Sequence, residues 1–260
     1  IESVTGATAG RRMGLKTSHI IFLAAAVVAS AGCSSAGGEP LPVPGIKPPP
    51  GVADQAAPLT ADPAAQETDF QAWLAGFRAD ARAAGVGPAT VDRSLSGLRV
   101  LPEVLASDSS QPEFVRPVWT YLDGAVSETR ITRGREQLSV QRGLLSGVER
   151  DYGVPPEIVV AIWAMESNFG ANMGSYNVVE ALATLAWHGR RADFWREQLL
   201  EALRIIDRGD APQGRLVGSW AGAMGHTQFI PTTFAGHAVD RDGDGRRDLW
   251  NSLPDVFGST

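Results

Sequence analysis

Cysteine is almost missing: Cys33 is the single one in 260 residues. That excludes an internal disulfide and leaves any Cys-based zinc site without its second sulfur. Lysine is nearly as scarce, with Lys16 and Lys47 the only two. The formal net charge is -6, and no Lys/Arg-rich run occurs outside the N-terminus. Nothing therefore supplies the basic stripe that a phosphate backbone requires, and nucleic acid is excluded as a partner. No apolar run is long enough to cross a bilayer comfortably. No alternating strand pattern rivals the helical periodicities, and there is no internal repeat. What is present is 43% hydrophobic content, enough for one sizeable folded domain with extra segments attached.

The N-terminal stretch has the layout of an export signal. "RRMGLK" is its basic region, "IIFLAAAVVASA" its short apolar region, and "SAGC" places small residues directly before Cys33. "SAGC" resembles a bacterial lipobox, although Ser30 stands where leucine is more usual. The resemblance implies cleavage before Cys33, lipid on its sulfur and, with Ser34 next, anchoring at the periplasmic face of the outer membrane. Residues 1 to 12 precede Met13 and are expected to lie upstream of the translated protein. Residues 34 to 66 are rich in Pro, Ala and Gly with few large apolar side chains, so they read as an extended, disordered tether. The folded domain is expected over 67 to 260.

That domain reads as mainly α. Phe70, Trp73, Leu74 and Phe77 recur at helical spacing before a stop at Gly85, and Leu138, Leu145, Val148 and Tyr152 form a second stripe ended by Gly153. Pro155 and Pro156 open a third helix that should end near Gly170. Asn177 with Glu180 marks the start of "VVEALATLAW", and Phe194, Leu199, Leu203 and Ile206 mark a long helix up to Gly209. A small hairpin is expected after Gly214.

The residue that asks for a chemical explanation is Glu166, in "AIWAMESNFGA". At i, i+4 spacing it continues a stripe with Ile158 and Ile162, so it should point where apolar side chains point. It lies in the last turn of its helix, where the macrodipole disfavours added negative charge. From Asp151 to Gly189 there is no Lys or Arg to stabilise the anion. All three effects favour a protonated carboxyl near neutral pH, the form a general acid needs. A buried Glu paired with a distant arginine is the alternative.

"YGVPPEIVVAIWAMESNFG", "ALATLAW", "GRRADFW", "GSWAGAMGHTQFIPTTF" and "AVDRDGDGRRDLWNSLPDVFGS", in that order, resemble the lytic transglycosylase B family of bacterial murein enzymes from about Trp119 onward. The resemblance implies a lysozyme-like transglycosylase domain acting on peptidoglycan glycan strands, with Glu166 as the sole catalytic acid/base. Ordinary glycosidases use two carboxylates, and no second acid sits in a comparable setting: Glu180, Asp193 and Glu197 occupy polar positions. In the resembled family the sugar's own C6 hydroxyl replaces water and closes a 1,6-anhydro ring. No catalytic cofactor is implied.

Ser219 and Gln228 match polar cleft positions, Arg190 and Arg191 match a basic pair suited to the carboxylates of murein, and Tyr121 is suited to stacking on a sugar. The alternatives are a locally satisfied Gly-rich turn, a solvated basic surface and helical core respectively. His226 receives no role, and His188 and His237 are too isolated to act as ligands.

"DRDGDGRRDLWN" fits an EF-hand-like calcium loop. Asp240, Asp242, Asp244 and Asp248 hold positions 1, 3, 5 and 9, Gly245 the turn, and Arg246 offers its carbonyl. Asn251 stands where a bidentate Glu is usual, so affinity should be lower or Asp255 must help. The expected role of Ca2+ is structural.

The reading from sequence is thus a lipid-anchored periplasmic lytic transglycosylase. A non-catalytic murein-binding lipoprotein and a hydrolytic muramidase are the rivals. The last residues, "PDVFGST", read as the opening of another helix, and the catalytic domain is expected to continue.

Overall fold

A computed structural model describes residues 62–110, 118–188, 190–211 and 216–260. Cys33, the export signal and all of the tether before Asp62 lie outside the described residues, as does the side chain of Tyr121. The described part is mainly helical, as its periodicities require.

Helix α1 (Pro63–Ala83) starts where Asp62 accepts the amide of Ala64 at 2.9 Å and proline occupies its first turn. The helix therefore begins slightly before the expected boundary at 67. Its buried face is Phe70, Leu74, Phe77 and Ala81. Helices α2 (Pro88–Ser94), α3 (Pro102–Ser110), α8 (Val178–His188) and α9 (Ala192–Arg208) pack around it, and Leu182, Leu185, Leu199 and Leu203 are fully buried in the shared core. Asn177 accepts the amide of Val179 at 3.1 Å to open α8, but Glu180 turns away to the amide of Arg99 at 3.1 Å, so no reciprocal capping box forms.

A second, smaller core lies between α6 (Arg142–Tyr152), α7 (Pro156–Ser167) and α11 (Leu253–Ser259). Leu145, Val148, Val159, Val160, Trp163, Val256 and Phe257 fill it. The stripe from Leu138 to Tyr152 is not one helix: α5 (Glu128–Val140) ends before Gln141, and α6 starts after it. Helix α4 (Val118–Ala125) carries Trp119 and Tyr121, and α10 (Pro231–His237) packs against α9.

The strands β1 (Tyr176–Asn177) and β2 (Val217–Gly218) pair antiparallel across α8 and α9, and the small hairpin expected after Gly214 takes the form of tight antiparallel turns following β2. Isolated bridges then join Gly218 to Met224 and Met224 to Phe229. A side chain at Gly218 would put its Cβ 2.1 Å from the carbonyl of Ala223, so this close approach of backbone to backbone requires glycine.

Candidate active site

Helix α7 carries Glu166 in its last turn, and the chain leaves that turn abruptly. Asn168, Phe169 and Gly170 take successive positive φ values of 50°, 61° and 82°. For an aromatic residue this is an uncommon, strained backbone that persists only when its surroundings hold it. Here they do. The Phe169 ring packs edge-on against Trp163 with centroids 5.4 Å apart, and the Arg133 guanidinium lies 5.1 Å from its centre. Arg133 also donates to the Asn168 side chain at 3.4 Å, while Ser167 Oγ accepts the Gly170 amide at 3.0 Å.

The face of α7 that enters the core is Val159, Val160, Trp163, Ala164 and Ser167. The stripe of Ile158, Ile162 and Glu166 is not that face, which corrects the expectation from spacing. Ile158 is 51% and Ile162 37% exposed, with Met165 beside them at 38%. Helix α7 is apolar on both sides, and the acid lies on the side left open.

Glu166 is nevertheless half-buried, and among the described residues it has no hydrogen bond and no ion pair. Burial alone pushes its carboxyl from an ordinary 4.5 up to about 7. Folding does bring arginines from α5 to this end of α7. Arg130 reaches the Met165 sulfur at 3.8 Å and Arg133 reaches Asn168, so both are engaged beside the acid and not with it. The result is a carboxyl that holds its proton near neutral pH and faces outward among apolar side chains, the state of a general acid.

The Gly-rich segment after β2 is folded onto itself. Ser219 is buried, and its Oγ accepts the Ala223 amide at 3.0 Å. Gln228 has a positive φ of 49°. Its side-chain amide donates to the carbonyls of Met173 at 3.2 Å and Gly225 at 2.9 Å, tying the loop after α7 to this segment. Arg190 pairs with the buried Asp108, whose carboxylate also accepts the Arg190 amide at 3.2 Å. Arg191 stacks over Phe194 at 4.9 Å and Trp195 at 5.2 Å. The basic pair is thus engaged with α3 and α9, not with Glu166.

In the acidic loop, Asp240, Asp242 and Asp244 each present a carboxylate oxygen within 4.8 Å of the others, all at the surface. Asp240 accepts the amides of Gly243 at 2.8 Å and Gly245 at 2.9 Å, which shapes the turn. Asp248 and Asn251 do not join the cluster: the Asn251 side chain donates to Asp248 at 2.9 Å, and Asp248 also caps the amides of Trp250 and Asn251. Arg246 gives its amide to Asp244 at 2.8 Å. Asp255, which is fully buried, holds the loop from inside by accepting the amides of Arg241, Asp242 and Asp248. Three converging, hard carboxylate oxygens at the surface fit a calcium-sized cation.

The sequence profile of the Transglycosylase SLT domain family matches residues 69–260. The chain belongs to this family. It is similar to the membrane-bound lytic murein transglycosylase B of Escherichia coli strain K12, with 44% identity over 110 residues, which is 42% of this chain and 30% of that protein. Among solved structures it is similar to SltB3 of Pseudomonas aeruginosa in complex with NAG-anhNAM-pentapeptide. That match has a TM-score of 0.71 and 49% identity and covers 73% of this chain and 51% of SltB3. The Escherichia coli transglycosylase SLT35 in complex with calcium matches with a TM-score of 0.63 and 31% identity over 75% of this chain and 61% of that one. The chain thus spans about half the length of SltB3 and under a third of the curated relative.

One residue of this SLT domain that the sequence reading set aside is central to its geometry. His226 Nδ1 accepts the Trp163 indole N–H at 2.7 Å, and its Nε2 lies 3.2 Å from the carbonyl of Trp250. Burial lowers the imidazole's pKa, with the Trp250 carbonyl and the Asp248 charge acting the other way. Its partners lie 63 and 24 positions away, so no local pattern announces the contact.

Proposed function

We propose that this SLT domain cleaves the β-1,4 MurNAc-GlcNAc bond of peptidoglycan without water. The observation that carries this reading is Glu166, a half-buried carboxyl with no protein partner whose burial raises it to about 7. In the first step Glu166 gives its proton to the glycosidic oxygen as the C1–O bond breaks and the GlcNAc leaves with a 4-hydroxyl. In the second, the carboxylate takes the proton of the MurNAc C6 hydroxyl as that oxygen bonds to C1, closing the 1,6-anhydro ring. The acid ends protonated, and one carboxyl serves both steps. The substrate's N-acetyl oxygen assists between them and needs no protein residue.

Ser219, whose hydroxyl proton remains available, and Gln228, whose side-chain oxygen does, are the proposed contacts to N-acetyl and sugar hydroxyl groups. Tyr121 is the proposed stacking ring. Arg190 and Arg191 meet the carboxylates of murein by sharing the partners they already have. Asp240, Asp242 and Asp244 would hold a structural calcium ion, with the Arg246 carbonyl, Asp248 and Asn251 as further oxygen donors were the Asp248–Asn251 pair to open. SLT35 in complex with calcium supports that assignment. The proposed location is the periplasm on a lipid anchor, a reading supported by the export-signal layout, the lipobox-like stretch ending at Cys33 and the composition of residues 34 to 66. Among the described residues no helix is long and apolar enough to cross a membrane.

The test is digestion of purified sacculi by the wild type and Glu166→Gln, with mass spectrometry of the products. An anhydro end is one water lighter than a reducing end. Anhydro products from the wild type alone support the reading; reducing ends point to a hydrolytic muramidase, and no products to a binding lipoprotein.

A further inference from the structure

A catalytic acid without hydrogen bonds can be aimed only by the backbone that carries it. Glu166 is in that position, so its placement depends on how α7 is fixed in rotation about its own axis. Apolar packing does this poorly, because such contacts have little directionality. Trp163 lies one turn before Glu166 and meets Phe169 and Phe257 through ring edges, with centroids 5.4 Å and 5.2 Å away. Among the described residues, the directional bond of its side chain is the one from its indole N–H to His226 Nδ1, at 2.7 Å.

His226 is itself held on three sides. Its Nδ1 must accept, which puts the ring proton on Nε2, where it faces the Trp250 carbonyl at 3.2 Å. Its backbone amide donates to the Leu249 carbonyl at 2.8 Å. Its ring lies so close over the turn after Glu166 that a Cβ on Gly170 would come within 2.1 Å of Cε1. One imidazole therefore joins the helix of the acid, the strained turn that ends it and the backbone beside the acidic loop.

We infer that His226 is a positioning residue for the reaction: through its bond to Trp163 it sets the rotation of α7 and so the direction in which Glu166 delivers its proton. This inference rests on the reading of Glu166 as the acid.

The test uses His226→Asn, His226→Gln, His226→Leu and Trp163→Phe in the natural full-length protein. Asparagine places an acceptor where Nδ1 stood and can still bond Trp163; glutamine places a donor near Nε2 and keeps only the Trp250 contact. His226→Leu and Trp163→Phe should each lower kcat about 10-fold to 100-fold with KM nearly unchanged, as misplacement of a reacting group by about an ångström does. Combining the two should cost no more than either alone. His226→Asn should recover most of kcat and His226→Gln should not.

In parallel, the Trp163 indole proton, identified by its loss in Trp163→Phe, should exchange slowly with water in the wild type and His226→Asn and fast in His226→Gln. Asparagine no better than glutamine, or additive losses in the double variant, would overturn the inference, and so would an indole proton that exchanges equally fast in all forms. If His226→Leu does not fold, the asparagine and glutamine pair and the exchange measurement still decide. Full activity in Glu166→Gln would instead refute the assignment of the acid, while the exchange result would stand by itself.

Discussion

Glu166 and Asp255 are both carboxylates whose pKa burial raises, and their surroundings differ in the donors they offer. Asp255 is fully buried yet accepts three backbone amides, from Arg241 at 2.7 Å, Asp242 at 3.3 Å and Asp248 at 2.8 Å. Glu166 is less buried and has no donor among the described residues. Burial raises the pKa of both carboxyls; at Asp255 three amides act against it, and at Glu166 no donor does. Donors at Asp255 hold a loop in shape. On the proposed mechanism, their absence at Glu166 leaves a proton to give away and an oxygen to take one back.

Changes on each side should separate the two roles. Glu166→Gln keeps size and polarity but has no acidic proton, and its turnover of sacculi should fall about 100-fold to 10,000-fold; a loss of only a few-fold would remove Glu166 from the chemistry. Asp255→Ala should do the reverse, leaving buried amides unmatched and costing about 3 kcal/mol in urea unfolding, while any protein that stays folded keeps its acid. An unchanged unfolding midpoint would mean that the loop is held elsewhere.

Calcium should act on the side of Asp255. With carboxylate oxygens of Asp240, Asp242 and Asp244 within 4.8 Å of one another, a bound cation offsets their repulsion, and stability should rise by about 2.7 kcal/mol at a hundredfold excess over Kd. Asn251 weakens the site, so millimolar calcium is expected to be needed, and magnesium should substitute poorly. The check is a thermal melt with and without calcium: no shift in the wild type, or an equal shift in Asp244→Asn, would return the loop to an ordinary turn.

The smallest effect concerns the stability cost of the acid itself. Burial raises Glu166 from 4.5 to about 7. Below the lower value the carboxyl is protonated both folded and unfolded, and nothing is lost. As pH rises from 4.5 to 7 the unfolded chain ionises first, so folding stability falls, and the full penalty is present above the folded value. Discounted for its residual exposure, that penalty is about 1 to 2 kcal/mol. Glu166→Gln should therefore melt a few degrees above the wild type at alkaline pH and level with it in acid. A variant that melts lower at every pH would show that the carboxylate stabilises the fold instead.

Most of the helical frame was legible because its signals are local. The stripe of Phe70, Leu74 and Phe77, the prolines that open α7, the asparagine before α8 and the glycine after α9 each act within a few residues. Two local readings misled. Leu138 and Leu145 share a stripe, but the chain breaks at Gln141 between them. Ile158 and Ile162 form a sound apolar stripe, yet α7 is apolar all round, and periodicity cannot say which of two apolar faces turns inward. What stayed illegible is what folding brings together from afar: the arginines of α5 beside Asn168 and Phe169, the Asp108 partner of Arg190, the inward role of Asp255, and His226 between Trp163 and Trp250.

The claim beneath all of this is that burial, with no donor to offset it, makes Glu166 keep its proton near neutral pH. Its carboxyl carbon can be followed by 13C NMR through a pH titration of the selectively labelled protein, with Glu166→Gln assigning the signal. A midpoint close to 7 that is insensitive to changes at Arg130 and Arg133 is the predicted result. A midpoint near the ordinary 4.5 would contradict the account, because such an acid would be ionised before substrate arrived.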